Sequence, residues 1–135
     1  MKLSADGSAL LGFRYIGGNS TDSIKSLALL TSGEVAVLGS TASHDLPDVT
    51  PDAAIRDFAG TFDGFLAVFS SGTLSTRYFS FLGGSVAATN LATTGMRGYL
   101  TGSVYYPEFG GIPISCDDAS ADYCTSLVAA FDLTQ

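Results

Sequence analysis

The chain contains one stretch of sequence twice. Arg14-Tyr15-Ile16-Gly17-Gly18 is followed by Val35-Ala36-Val37-Leu38-Gly39-Ser40, and Ser80-Phe81-Leu82-Gly83-Gly84 by Gly98-Tyr99-Leu100-Thr101-Gly102-Ser103. The glycine pairs lie 66 positions apart, Gly39 and Gly102 lie 63 apart, and the apolar runs Phe65–Phe69 and Leu127–Phe131 lie 62 apart. The opening Leu3-Ser4-Ala5-Asp6-Gly7 also matches Ser70-Ser71-Gly72, the residues directly after Phe69. A period of this size means that one supersecondary unit is built again and stacked on itself, so the fold is read from the unit. The shrinking offsets place the length differences in loops. The sequence divides into a first repeat over 1–69 and a second over 70–135, the second with an insertion at 104–124 that carries both cysteines.

Inside the repeat the period is two. Leu11, Phe13 and Tyr15 share one face, as do Phe79 and Phe81, which predicts strands. Leu27–Leu30 and Val35–Leu38 are β-rich runs joined by Thr31-Ser32-Gly33-Glu34, a hairpin signal. Leu91–Thr94, Gly95-Met96-Arg97 and Gly98–Thr101 form its counterpart. Phe65–Phe69 is apolar throughout, as suits a strand covered on both faces. About four short strands per repeat are expected. The one candidate for a helical turn is Asp52–Phe58, after Pro51. Two long loops interrupt the pattern, 41–62 with Pro47 and Pro51, and 104–124 with Pro107, Pro113, Cys116 and Cys124. Four antiparallel strands in about 60–65 residues are the size of one β-propeller blade. The expected fold is all-β, with two four-stranded antiparallel blades; the alternative is a β-sandwich of about eight strands.

Composition narrows the function classes. The chain has 135 residues, enough for one domain with a core, and 46% of them are apolar. Only 14% are charged, with a net charge of −7. Its six cations are scattered, which argues against nucleic acid and against an acidic membrane surface. No apolar run approaches the ~18 residues that a membrane span needs. Met1-Lys2 leads into polar Ser4–Ser8 with no signal-peptide core, so the expectation is a cytoplasmic protein or a piece of a longer exported chain.

The matching stretches resemble the bacterial seven-bladed β-propeller repeats known as SBBP repeats. Those repeats run from an apolar strand through a Gly-containing turn to an aromatic strand ending in Leu-Gly-Gly, then through a hairpin to Thr-Gly. Here the corresponding residues are Phe65–Phe69, Ser71-Gly72-Thr73-Leu74, Tyr78–Gly84 and Tyr99-Leu100-Thr101-Gly102, with Tyr15–Gly18 and Ser32–Gly39 in the other copy. Ser43-His44-Asp45-Leu46-Pro47 is similar to the family's Asp-Phe-Pro segment. Tyr105-Tyr106-Pro107-Glu108-Phe109 departs from it by lacking the aspartate. The resemblance implies an extracellular or cell-surface location and a binding or scaffolding role. It brings no catalytic residues. Two blades do not close a propeller, so the expected partners are the remaining blades of a longer chain or further copies in a homo-oligomer.

Few residues point to chemistry. His44 is the single histidine and adjoins Asp45, but there is no Gly-x-Ser-x-Gly elbow, and a surface-loop histidine is the plainer reading. Asp118, Ser120 and Asp122 alternate as calcium ligands do, without the glycine and closing glutamate of a calcium loop, so a solvated acidic loop is the default. Asp45, Asp48 and Asp52 form a second acidic group. Asn19-Ser20-Thr21 fits a glycosylation sequon, read as chance. Two cysteines and one distant histidine make a poor zinc set. Cys116 and Cys124 are spaced to form a disulfide that staples their loop, the alternative being two reduced thiols. Tyr105, Tyr106 and Phe109 sit in a Gly/Pro-rich loop, where aromatics suit protein or glycan contact; otherwise they pack on the blade edge. The sequence thus predicts a non-enzymatic extracellular scaffold or binding surface that needs no cofactor. The alternatives are a propeller-based polysaccharide hydrolase or lyase working through carboxylates such as Asp45 and Asp118, and a purely structural assembly subunit.

Overall fold

The computed structural model describes residues 1–105, 108–109, 112–113 and 124–132. The strands are β1 (Lys2–Leu3), β2 (Leu10–Gly12), β3 (Asp22–Leu29), β4 (Val35–Thr41), β5 (Asp63–Phe69), β6 (Thr76–Phe81), β7 (Val86–Thr94), β8 (Arg97–Val104), β9 (Glu108–Phe109), β10 (Ile112–Pro113) and β11 (Cys124–Asp132). All pairings are antiparallel, and no helix is present among the described residues. The first main sheet has the order β3-β4-β5-β6 and joins consecutive strands, while the second has the order β7-β8-β11 and joins β8 to β11 across the β9–β10 hairpin. β1 pairs with β2, and β9 with β10.

The sequence repeat is a repeat of hydrogen-bond register. Gly39 faces Phe65 in the first sheet, and Gly102 faces Leu127 in the second. The register of β3 slips between Ile24 and Ser26 opposite Gly39 and Leu38, and that of β7 between Ala88 and Asn90 opposite Gly102 and Thr101. Each slip leaves one extra residue, Lys25 or Thr89, in a β-bulge. A Cβ on Gly39 would stand 2.6 Å from the Ser23 carbonyl oxygen, and one on Gly102 would stand 2.6 Å from that of Ala87. The repeated glycine is therefore the one residue type that lets the bulged strand approach.

The glycine pairs are kept for different reasons. Gly83 and Gly84 have φ values of 74° and 71°, a left-handed turn between the two sheets. A Cβ on Gly18 would instead stand 2.2 Å from Asp45 Oδ1 and 2.8 Å from Ser43 Cβ.

The N-terminal hairpin is a partial third copy. Lys2 faces Gly12 and Leu3 faces Leu10, with a register shift between them; Val68 faces Tyr78 and Phe69 faces Thr76, with the same shift. Ser4 N donates to Ala9 O at 2.9 Å, and Ser70 N donates to Ser75 O at 2.9 Å. The hairpin β1–β2 thus reproduces the far end of β5–β6. Thr76–Phe81, counted from sequence within the repeat at 70–135, therefore completes the sheet begun at Asp22. The second sheet accordingly has three strands among the described residues, not the expected four.

Alternation decides what each face buries. Ala36, Leu38, Leu66 and Val68 point toward the second sheet and meet Val86, Ala88, Leu91 and Leu100. β7 lies across β3, β4 and β5. The opposite face of the first sheet carries Val37, Phe65, Ala67, Phe69, Phe79 and Phe81, over which Leu46, Val49, Ile55 and Phe58 of the loop 42–62 fold. All seven residues of β5 are buried, as its unbroken apolar run predicts.

The expected helical turn at Asp52–Phe58 does not form. Thr50 and Ala53 close a single turn, with Ala53 N donating to Thr50 O at 3.0 Å. The backbone then runs along the free edge of β6. Thr50 N donates to Phe79 O at 3.0 Å, Phe81 N to Ile55 O at 3.1 Å and Ile55 N to Ser80 Oγ at 3.0 Å. An unpaired strand edge offers these groups partners that a short isolated helical turn would forgo.

Candidate functional site

Three features lie where loops meet the sheets. The first is a groove of 710 Å³ beside β11, opening over the outer strands of the first sheet. It is lined by apolar Leu66, Val68, Met96 and Phe131, by Tyr78, and by the charged Glu34, Asp52 and Arg77 among others. Arg77 and Glu34 form an ion pair at 3.4 Å. Leu66 and Val68 also belong to the apolar layer shared with β7 and β8.

The second is a polar knot at the start of β3. Asp22 accepts hydrogen bonds from Thr41 Oγ1, from Ser43 Oγ at 2.9 Å and from Gly18 N at 2.9 Å. Asp45 Oδ1 accepts from Asn19 N at 2.8 Å, and Ser43 Oγ accepts from Ser20 N at 2.9 Å. These bonds tie the link between β2 and β3 to the loop after β4. Nearby, Asp63 opens β5 and is fully buried. Burial pushes its carboxyl up to about 7, against the opposing pull of backbone amides, chiefly that of Ala59. Ala59 N donates to Asp63 Oδ2 at 3.3 Å, while Oδ1 has no partner.

The third is the junction of the two long loops, where the rings of Phe62 and Tyr105 meet edge-on at 5.1 Å. Tyr105 is exposed and also packs on Phe62 at the end of the first long loop.

The other sequence-predicted residues divide plainly. His44 is exposed and packs its ring on Phe58 with centroids 4.1 Å apart. Asp45 turns to Asn19 N, Asp48 pairs with Arg14, and Asp52 lines the groove, so this acidic group does not converge. Among the described residues no three metal-ligating side chains assemble. Tyr106, Cys116, Asp118, Ser120 and Asp122 lie outside the described residues, as do the side chains of Phe109 and Cys124, and with them the disulfide and calcium expectations. Sequence reasoning missed the groove, the Asp22 knot and buried Asp63. A carboxylate two positions before the all-apolar Phe65–Phe69 was the available signal for the last.

No family model matches this chain, and no curated protein or solved structure matches it either. Among the described residues, no helix is long and apolar enough to cross a membrane.

Proposed function

We propose that the chain is a non-enzymatic run of β-propeller repeats that serves as an extracellular scaffold or binding surface for protein or glycan. The observation that carries this reading is the recurrence of one ladder: the same glycine, bulge and cross-strand register in two sheets packed face to face. In a sandwich, Greek-key connections pass strands between the sheets. Here the first main sheet is finished before the second begins, and no strand passes between them, which favours blades. A repeat core supplies rigidity, and specificity then belongs to the loops, where the copies differ.

The contact surface is assigned to the loop junction around Tyr105, with Tyr106 and Phe109. Aromatic side chains bring large, stiff contact area to such surfaces. Binding to a panel of immobilised acidic and neutral polysaccharides, and to surface-protein extracts, tests this. Tyr105→Ala with Phe109→Ala is expected to weaken a detected interaction at least about tenfold, a loss of about 1.4 kcal/mol. Undiminished binding by that double variant would move the contact surface elsewhere. Turnover of the same polysaccharides, abolished by Asp45→Ala, would replace the reading with the hydrolase or lyase alternative.

A further inference from the structure

A pocket of 490 Å³ between β3, β4 and β7 contains no carboxylate. Thr21, Ser23, Lys25, Ser40, Phe62 and Thr89 are the residues of its lining whose side chains can bond or stack. The absence of acid here is informative, because the chain carries thirteen acidic residues against six basic ones. The groove beside β11, by contrast, has Glu34, Asp52 and Asp132 in its lining. Lys25 is the one charged residue of the 490 Å³ pocket. It is exposed, and its ammonium forms no ion pair among the described residues.

Both β-bulges meet at this pocket. Lys25 is the extra residue of the bulge in β3, and Thr89 is its counterpart in β7. A bulge takes a side chain out of the regular alternation of its strand, and here both extra residues line one space. The bulge recurs with the fold, but the residue in it does not. Ser40 follows the repeated Gly39 and brings a buried hydroxyl that has no hydrogen-bond partner. An unpaired buried hydroxyl costs stability, a cost that a bound hydrogen-bonding group would remove. Ser23 faces Ser40 across the strand pair. Thr89 Oγ1 donates to Thr101 O at 3.0 Å and keeps lone pairs with which to accept. Phe62 meets Tyr105 edge-on, so the pocket adjoins the loop junction.

We propose that this pocket binds one uronic acid residue of an acidic glycan, with Lys25 pairing the sugar carboxylate. A sugar ring presents several hydroxyls and an apolar C–H face. The serine and threonine hydroxyls of the lining answer the first, and the Phe62 ring answers the second. A neutral sugar would leave the ammonium unused. An acidic peptide would pair with Lys25 but leave the hydroxyls without partners, and a site built to hydrogen-bond its ligand discriminates strongly on that ground. The volume lies within the roughly 300–1,000 Å³ of ligand pockets. The net charge of −7 opposes long-range attraction of a polyanion, so recognition is of one sugar residue at close range. The inference rests on the reading of the chain as a binding surface and names the ligand class of that surface.

The test titrates the isotopically labelled full chain, followed by NMR, with trimers of galacturonate and of glucuronate, their methyl-esterified forms and triglutamate. The expected result is that an acid trimer shifts the amide signals of Ser23, Lys25, Ser40 and Thr89. It should bind at least about tenfold more tightly than its methyl ester. Lys25→Gln is expected to erase that difference. Ser40→Ala is expected to weaken binding at least about threefold without lowering the melting midpoint, since the hydroxyl has no partner in the free chain. Equal affinity for acid and ester, equal affinity for triglutamate, or a full acid preference in Lys25→Gln overturns the proposal. Shifts confined to other parts of the molecule, or no binding of either acid trimer up to about 10 mM, overturns it too. The binding-surface reading fails on a separate readout, cleavage of the trimers by the unaltered chain, seen by mass spectrometry.

Discussion

The repeat is enforced by single atoms. Alanine at position 39 would set its Cβ against the Ser23 carbonyl and the Phe65 ring, and alanine at 102 would meet the Ala87 carbonyl. Each substitution should cost about 1–3 kcal/mol, with the larger cost at position 39, where the buried Phe65 ring obstructs in addition to the backbone carbonyl that both sites share. Urea denaturation measures both. Ser85 presents the opposite case: it has a φ of 49°, and its buried hydroxyl lacks a partner. Ser85→Gly should stabilise by about 1 kcal/mol, as relief of left-handed strain and of a partnerless hydroxyl outweighs the added chain entropy. Asp63 sets a pH dependence. Its carboxyl titrates near 7 in the fold and near 3.8 when exposed, so between those values the native state holds a proton that the unfolded chain has released. The associated stability is complete below about pH 4, falls as pH rises toward 7 and is absent above it. Asp63→Asn should flatten that slope and raise stability at pH 8 by on the order of 2–4 kcal/mol, seen in melts across pH. The glycines were legible in sequence because two copies could be compared. Asp63 was not, because its burial comes from chain segments that no local pattern brings together.

At the scale of elements, local patterning did most of the prediction. The hairpin β3–β4 and its counterpart β7–β8 follow from alternation and a turn glycine, and both turns use one, Gly33 at φ 80° and Gly95 at φ 63°. β5 was legible from its unbroken apolar run. The loop 42–62 was not. Its proline-led Asp52–Phe58 has helical spacing, but the open edge of β6 captures its backbone and the second apolar layer takes Ile55 and Phe58. Only the tertiary partner distinguishes the two outcomes. The groove beside β11 was illegible for the same reason, since it lies between strands 50 residues or more apart in sequence, such as Tyr78 and Phe131. The element carrying the sheet-to-sheet contact is β7. Leu91→Ala, which empties a site under Leu38 and Leu66, should destabilise by about 2–5 kcal/mol in equilibrium unfolding.

On the scale of the whole molecule, both sheets share one apolar layer, so they should melt together. The chain has no tryptophan and six tyrosines. Tyrosine fluorescence and far-ultraviolet circular dichroism should therefore give coincident urea curves, and Leu91→Ala should move both by the same amount. Separate transitions would mean that the sheets fold independently. The complete burial of β5 has a consequence for how the protein is made. Phe65-Leu66-Ala67-Val68-Phe69 carries no charge and no proline, and such a segment stacks readily with copies of itself while bare. One side of it is hidden by the loop before it and by β6, but the other waits for β7, about 20 residues later in synthesis. Until then the one charge beside it is Asp63, whose carboxylate guards the strand in the nascent chain and takes up a proton more readily once it is buried.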